Sequence, residues 1–181
     1  MASASDNFNR ADSTTTLGAN WTAAIGTWGI FSNEAYCPTP SSSIGSVFYS
    51  AISWGPNHYS QASAGAFYAT QQIGPAIKVQ ASGKCYTVLG NHIYYYDGAT
   101  LNSISTGAYN FVSTDVIQLS YGLAFANQIQ LKKNGSLIDS VIDSTLTGGS
   151  PGMFATLATE TLNDWSGDDG VSTSGFLLVS N

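Results

Sequence analysis

Basic residues are scarce in this chain. Its 181 residues include five Lys and Arg against eleven Asp and Glu, which gives a formal net charge of −6. A nucleic-acid-binding surface needs clustered Lys and Arg to neutralise phosphates, and an anionic membrane surface attracts proteins through the same residues. The composition therefore excludes nucleic acid and a membrane surface as partners.

Long apolar runs and cysteine are scarce as well. No segment approaches the ~20 apolar residues of a membrane span, and residues 1–6 lack the basic and apolar regions of a signal peptide. We therefore expect a protein that acts inside a cell, leaves it by lysis, or has lost a leader. The two cysteines, Cys37 and Cys85, are too few for a disulfide scaffold. They are expected either to form one bridge or to lie buried as free thiols.

What the chain does contain is apolar and uncharged polar residues. Hydrophobic residues make up 43% and aromatic residues 12%, which argues against disorder. Charged residues make up only 9%, so the polar surface consists mainly of Ser, Thr, Asn, Gln and Gly. With no linker or charge block to divide it, the chain is predicted to form a single domain over residues 1–181.

Alternation of apolar and polar residues is the dominant pattern. It predicts short strands such as Ser46–Trp54, Val116–Tyr121 and a final strand over Phe176–Val179. The glycine-rich stretch 148–152 is predicted to be a loop. Only residues 123–129 allow a helical turn.

Two dipeptides predict tight hairpins. Asp97-Gly98 and Asn134-Gly135 each follow an alternating run, and such pairs favour the positive φ angles of two-residue hairpin turns. Many short strands joined by turns indicate an all-β sandwich or barrel.

Several motifs resemble laminin-G-like, concanavalin A-like domains of phage and environmental bacterial proteins. The main ones are Asp6-Asn7-Phe8-Asn9-Arg10-Ala11-Asp12, Leu17-Gly18-Ala19-Asn20-Trp21, Trp28-Gly29-Ile30, Pro151-Gly152-Met153 and Leu162-Asn163-Asp164-Trp165. The resemblance implies a two-sheet antiparallel jelly-roll sandwich whose first and last strands are neighbours. It also implies the functions of such domains, which often bind glycans, often serve as structural or adhesive modules, and sometimes hold a structural calcium.

Sugar binding requires aromatic rings for the C–H faces of the sugar and amides for its hydroxyl groups. The rings proposed for this role lie near loops carrying Asn57 and Asn91, and they are Trp54, His58, Tyr59, His92, Tyr94 and Tyr95. The alternative for these rings is core packing with polar atoms at the rim. Phe8, Trp21 and Trp28 are assigned to the core.

Calcium is the favoured metal, because it binds carboxylate, carbonyl and amide oxygens. Asp6, Asn9 and Asp12 near one terminus and Asp164 near the other would meet if the terminal strands are neighbours. In the alternative interpretation, Asp6 and Asn9 cap turns and pair with Arg10.

Catalytic patterns are weak. A glycoside hydrolase needs two carboxylates across the scissile bond, but Glu34 and Glu160 are the only glutamates and lack the motif of glucanases with this fold. The cluster Asp164, Asp168 and Asp169 is better explained as a solvated turn or cation site. His92 with Tyr94 is a poor match for a polysaccharide lyase in a chain with so few cations.

The interpretation that follows is a non-catalytic carbohydrate-binding or structural module, as a capsid decoration, tail or fibre component of a bacteriophage virion. The protein would then lie on the virion or be extracellular after lysis, with glycan or other virion proteins as partners. One alternative is a glycoside hydrolase or polysaccharide lyase acting on a neutral polysaccharide. Another is an assembly protein without a ligand, which would form a symmetric homo-oligomer or occupy a fixed position on a larger particle.

Overall fold

The structure, a computed structural model, describes residues 1–41, 44–66, 71–90, 92–156 and 159–170. Asn91 and the strand predicted over Phe176–Val179 lie outside these residues. The described strands are β1 Ser3–Asp6, β2 Trp21–Ile25, β3 Thr27–Phe31, β4 Glu34–Thr39, β5 Gly45–Tyr49, β6 His58–Ala64, β7 Ile73–Val79, β8 Cys85–Leu89, β9 His92–Tyr96, β10 Leu101–Ser103, β11 Val116–Tyr121, β12 Gln128–Lys133, β13 Ser136–Ile142, β14 Ser150–Ala155 and β15 Thr161–Asp168. In these ranges there is no helix long and apolar enough to cross a membrane.

Two antiparallel sheets form the sandwich. The eight-stranded sheet has the order β13-β12-β11-β6-β15-β4-β3, and β1 pairs with the C-terminal half of β15. The seven-stranded sheet has the order β10-β9-β8-β7-β14-β5-β2. The all-β fold class is confirmed, and β1 pairs with β15, the last strand within the described residues.

The inner faces of both sheets form the main core. It contains Phe8, Trp21 and Trp28 as predicted, and also Trp165, whose ring lies 4.6 Å from that of Trp21. A second apolar cluster lies on the outer face of the seven-stranded sheet and consists of Ala76, Val79, Cys85, Leu89, Tyr96 and Phe154.

The two cysteines are free and buried. Cys37 belongs to the main core, whereas Cys85 belongs to the second cluster on the outer face of the seven-stranded sheet. They do not pair because that sheet separates them. Burial raises the pKa of the Cys37 thiol to about 12 and also raises that of Cys85.

Both predicted hairpins are confirmed. Asn134 and Gly135 adopt φ angles of 51° and 81° between β12 and β13, as a type I′ turn requires. Asp97 and Gly98 also lie in a hairpin connection, between β9 and β10, but residues 97–100 form a four-residue loop there, and of the two only Gly98 has a positive φ, of 98°.

Three predicted element boundaries were wrong. Residues 123–127 form turns rather than a helical turn, and β12 starts at Gln128. β5 ends at Tyr49 instead of reaching Trp54, since Pro56 and Asn57 belong to a longer connection. The loop predicted over 148–152 ends earlier, because Ser150 already pairs with Val79 as the first residue of β14.

Candidate functional site

The outer face of the eight-stranded sheet is polar because alternation in its central strands turns their apolar residues inward. In β6, His58, Ser60, Ala62 and Ala64 are buried, while the residues between them are partly exposed on the other side. In β11, Ile117 and Leu119 point into the core. Alternation at period two therefore places Gln61 and Tyr59 of β6 and Gln118 and Ser120 of β11 on the outer side, whereas Tyr121 belongs to the core.

Strand pairing brings these outer residues together in two rows. Gln61 lies opposite Gln118 on one side and Ser166 on the other, and Tyr59 lies opposite Ser120 and Asp168. Gln130 extends the second row, because it pairs with Ser120. Lys132 extends the first row in the same way, because it pairs with Gln118. We call this surface the amide face, and its partly exposed residues are Tyr59, Gln61, Gln118, Gln130, Lys132, Ser166 and Asp168, whereas Ser120 is only 3% exposed.

Hydrogen bonds between side chains order the amides of this face. Gln118 Nε2 donates to Gln61 Oε1 at 3.1 Å, and Gln130 Nε2 donates to Gln128 Oε1 at 3.1 Å. Each primary amide has two N–H donors and an acceptor oxygen with two lone pairs. The Gln61 amino group and the Gln118 carbonyl oxygen therefore retain capacity for a ligand.

The structure separates the six aromatic residues that the sequence proposed for sugar binding. Only Tyr59 lies on the amide face. His92 and Tyr94 lie on the outer face of the seven-stranded sheet, with ring centroids 5.9 Å apart, and Tyr94 packs against the second apolar cluster. Tyr95 points inward and packs against the main core, with its ring 5.8 Å from Tyr86.

Trp54 packs at one end of the aromatic core. Its ring lies 6.2 Å from Tyr49 and 6.5 Å from Trp165, and its Nε1 donates to the Tyr49 carbonyl oxygen at 2.9 Å. The ring is half-buried and packs against the core, as in the alternative of core packing, and is not an open surface for a sugar.

His58 is fully buried and holds two strands together. Nδ1 lies 3.0 Å from the Gly55 carbonyl oxygen, and Nε2 accepts the Lys78 backbone N–H at 3.1 Å. This pairing defines a neutral imidazole protonated at Nδ1. Burial lowers the pKa of His58 to about 4.

The residue that His58 contacts, Lys78, is itself unusual. It has a φ of 56°, it is 1% exposed, and its Nζ lies 4.2 Å from the centre of the Tyr121 ring. Burial lowers the pKa of this amine. His58 and Lys78 are thus interior residues and are not part of either outer face.

The residues proposed for calcium are only partly brought together. Pairing of β1 with β15 places Asp6 opposite Trp165, and Asp6 and Asp164 line one depression of about 420 Å³. Asp12 lines a different depression, and Asn9 is exposed with its N–H donated to Asn7 Oδ1. Within the described ranges, no group of three or more His, Cys, Asp or Glu side chains could hold a metal ion.

Asp6 also has its oxygens occupied. Arg10 binds both of them at 2.8 Å, Trp21 Nε1 donates to Oδ2, and the Phe8 N–H donates to Oδ1. Burial alone would raise the pKa of Asp6, but these hydrogen bonds lower it overall. The guanidinium already neutralises this carboxylate, so the residues do not fit the predicted calcium site.

A second carboxylate approaches Asp164 from the neighbouring strand. Glu34 and Asp164 line a depression of about 260 Å³ together with Ser63 and Asn163. Both Glu34 oxygens accept the Ala66 N–H at 3.0 Å, and Oε2 also accepts the Thr161 hydroxyl. Sequence reasoning did not connect Glu34 with Asp164, because their proximity depends on the pairing of β4 with β15.

Comparison with known proteins identifies the fold. No family model matches the chain and no curated protein does. Among solved structures, it is similar to the carbohydrate-binding module CBM66 from Bacillus subtilis, with 13% identity and a TM-score of 0.58 over 80% of this chain and 91% of that one. It is also similar to a prokaryotic β-1,3-1,4-glucanase (lichenase) derived from a mouse hindgut metagenome, with 10% identity and a TM-score of 0.55 over 93% and 99%.

A third similar structure is the carbohydrate recognition domain of Emp47p, with 12% identity and a TM-score of 0.53 over 93% of this chain and 95% of that one. At these identities the likeness concerns the fold. The chain is a two-sheet antiparallel jelly-roll sandwich of the concanavalin A-like kind.

Proposed function

We propose that this protein is a non-catalytic carbohydrate-binding module that binds a neutral glycan on the amide face. The observation that carries the proposal is the arrangement of Tyr59 beside ordered glutamines on an open sheet. Sugar hydroxyl groups both donate and accept hydrogen bonds, and primary amides can satisfy both roles. The Tyr59 ring offers an apolar surface for the C–H face of a pyranose.

Charge favours a neutral ligand. The amide face includes Asp168 next to Tyr59, and the chain has a net charge of −6. Anionic polysaccharides are normally bound through Arg and Lys, and of the five such residues one, Lys132, lies on this face, opposite Gln118. The face thus carries one cation and one anion and lacks the cluster of basic residues that a uronate or sulfated chain would need.

The similar structures support this proposal at the level of the fold. Two of the three are described as a carbohydrate-binding module and a carbohydrate recognition domain, and the third as a glucanase. Because one fold hosts many functions, the argument for binding rests on the residues of the amide face.

Affinity electrophoresis tests the proposal with neutral polysaccharides in the gel, namely mixed-linkage β-glucan, xylan and galactomannan. We expect at least one to retard the native protein, and Tyr59→Ala or Gln118→Ala to weaken that binding. Loss of one hydrogen-bonding side chain costs about 1 kcal/mol, or about fivefold in Kd. Tyr94→Ala and Gln80→Ala are matched controls outside the amide face, and equal losses in the controls would contradict the proposal.

Hydrolysis is the second candidate, because Glu34 and Asp164 share a depression. Both oxygens of Glu34 accept the Ala66 N–H, and Oε2 also accepts the Thr161 hydroxyl, so this carboxylate is engaged in contacts within the protein rather than directed at a scissile bond. This is the reason to prefer binding over cleavage. Release of reducing sugar that disappears in Glu34→Gln and Asp164→Asn, while both variants keep their fold, would favour the hydrolase.

The place of the module on a bacteriophage virion, as a capsid decoration, tail or fibre component, stays a prediction from the sequence. So does the homo-oligomer.

A further inference from the structure

A pair of aromatic rings lies on the outer face of the eight-stranded sheet, away from the amide face. Phe31, at the end of β3, is 44% exposed, and its ring centroid lies 6.0 Å from that of Tyr36 in β4 with an interplanar angle of 54°. Phe31 pairs with Glu34 across the hairpin, so Tyr36 is its diagonal neighbour. Such diagonal pairs are within reach of each other when the side chains are aromatic.

Gly29 allows the Tyr36 ring to lie close to the sheet. The two residues pair directly. A methyl group on Gly29 would come within 3.0 Å of Tyr36 Cε1 and 2.1 Å of the Ser13 carbonyl oxygen. Glycine is therefore required where the ring and the segment around Ser13 both approach β3.

The segment around Ser13 closes one side of the aromatic pair. Ser13 and Ile30 exchange two backbone hydrogen bonds of 2.9 and 2.7 Å, which fix the segment beside β3. The result is an open depression of about 430 Å³, lined by Phe31, Tyr36, Ile30, Asp12, Ser13, Thr14 and Thr15.

Polar groups in this depression complement the rings. Asp12 Oδ1 accepts the Ser32 N–H at 2.9 Å, which fixes the carboxylate and leaves Oδ2 as an acceptor. Thr14 and Thr15 are exposed and contribute hydroxyl groups. No Lys or Arg lines the depression, and the cation nearest in sequence, Arg10, is bound to Asp6.

The depression lies on the same side of the sheet as the amide face. Leu162 and Ala35 pair with their side chains in the core, so Tyr36 and Glu34 face outward with Asn163. Asn163 in turn pairs with Ser63, which is two residues from Gln61. Outward-facing side chains on β4, β15 and β6 therefore form a continuous polar surface that runs diagonally from the aromatic pair to Tyr59.

The separation between Tyr36 and Tyr59 follows from the sheet. They are two strands apart, and their partners on β15, Thr161 and Asp168, lie at opposite ends of that strand. With about 4.8 Å between strands and about 3.3 Å per residue, the distance is roughly 20–25 Å.

We propose that Phe31, Tyr36 and Asp12 form a second sugar subsite, so that the protein binds an extended neutral polysaccharide chain across the sheet rather than a terminal sugar. This inference rests on the proposed function of the amide face. The two rings take the C–H faces of a pyranose, and Asp12 Oδ2 accepts a hydrogen bond from a sugar hydroxyl group. Simultaneous contact with both subsites raises the affinity for chains long enough to span them.

The test compares chain lengths with point variants. For whichever of mixed-linkage β-glucan, xylan or galactomannan retards the native protein, calorimetry measures binding of its oligosaccharides from two residues upward and of the polymer. We expect affinity to rise until the chain spans about 20 Å. Phe31→Ala and Asp12→Asn should reduce polymer affinity about tenfold and leave disaccharide binding at Tyr59 unchanged.

Phe125→Ala is the matched control, since Phe125 is 71% exposed and lies outside the depression. Polymer binding unchanged in Phe31→Ala but weakened in Tyr59→Ala would overturn the second subsite and leave the proposed function intact. Polymer binding weakened in Phe31→Ala but not in Tyr59→Ala would overturn the amide face as the site. No retardation by any polymer would overturn both.

Discussion

His58 makes the stability of the fold depend on pH in a defined window. The folded protein holds a neutral, fully buried imidazole whose pKa is about 4, whereas the unfolded chain takes up a proton near the ordinary value of 6.5. Stability from this group is complete above pH 6.5 and is lost as the pH falls to 4. The total corresponds to about 3 kcal/mol.

Between pH 7 and pH 5 the expected loss of unfolding free energy is about 2 kcal/mol. The aspartates whose pKa values are lowered overall titrate below this window and contribute little to it. Urea denaturation at pH 7, 6 and 5 measures the change in the native protein and in His58→Gln. Glutamine retains a donor and an acceptor but does not titrate.

We expect His58→Gln to be less stable at pH 7 and to lose about 2 kcal/mol less than the native protein on acidification. Parallel pH dependences for the two proteins would refute the assignment of His58 as a neutral interior residue.

Three further predictions concern the interior and the termini. Cys37 and Cys85 should react with a thiol reagent only after unfolding, because both are buried free thiols with raised pKa values; rapid labelling of the native protein would contradict this. Gly29→Ala should lower the unfolding free energy by about 2 kcal/mol or more, since its methyl group meets the Ser13 carbonyl oxygen; a stability equal to native would contradict the packing. Asp6→Asn should lower the unfolding free energy by about 2 kcal/mol, because charge-assisted hydrogen bonds to Arg10 are lost. Since Arg10 already binds this carboxylate, calcium should leave the Tm of the native protein unchanged. A rise in Tm with calcium would restore the calcium-site hypothesis.

Local signals account for what the sequence predicted well. Asn134-Gly135 specifies its hairpin through the φ angles that its own two residues adopt, independently of the rest of the chain. Alternation in Val116–Tyr121 likewise indicates a strand with one buried face. The all-β class follows from such local evidence.

The candidate site depends on contacts between residues far apart in sequence. Gln61 and Gln118 meet because β6 pairs with β11, and no local pattern specifies that pairing or its register. Alternation places the neighbouring residues His58 and Tyr59 on opposite sides of β6. Both were nevertheless proposed for one site, because the sequence did not show which side of β6 faces the core. The contact between Phe31 and Tyr36 depends on a local hairpin instead. A two-residue turn at Ser32-Asn33 is enough to make these two residues diagonal neighbours.

The calcium prediction illustrates a different difficulty. The sequence placed Asp6 and Asp164 near each other by way of the terminal strands, and β1 does pair with β15. What local reasoning left open was whether Arg10 or a cation would neutralise Asp6. The structure has Arg10 binding both oxygens, which is the alternative that the sequence analysis also stated.

The most direct test of the account is an array of polysaccharides and glycans probed with the native protein, Tyr59→Ala and Tyr94→Ala, with released sugar measured on the same samples. The account predicts binding to neutral polysaccharides without release, weakened by Tyr59→Ala and unchanged by Tyr94→Ala. Release of sugar, or binding that Tyr94→Ala weakens while Tyr59→Ala does not, would contradict it.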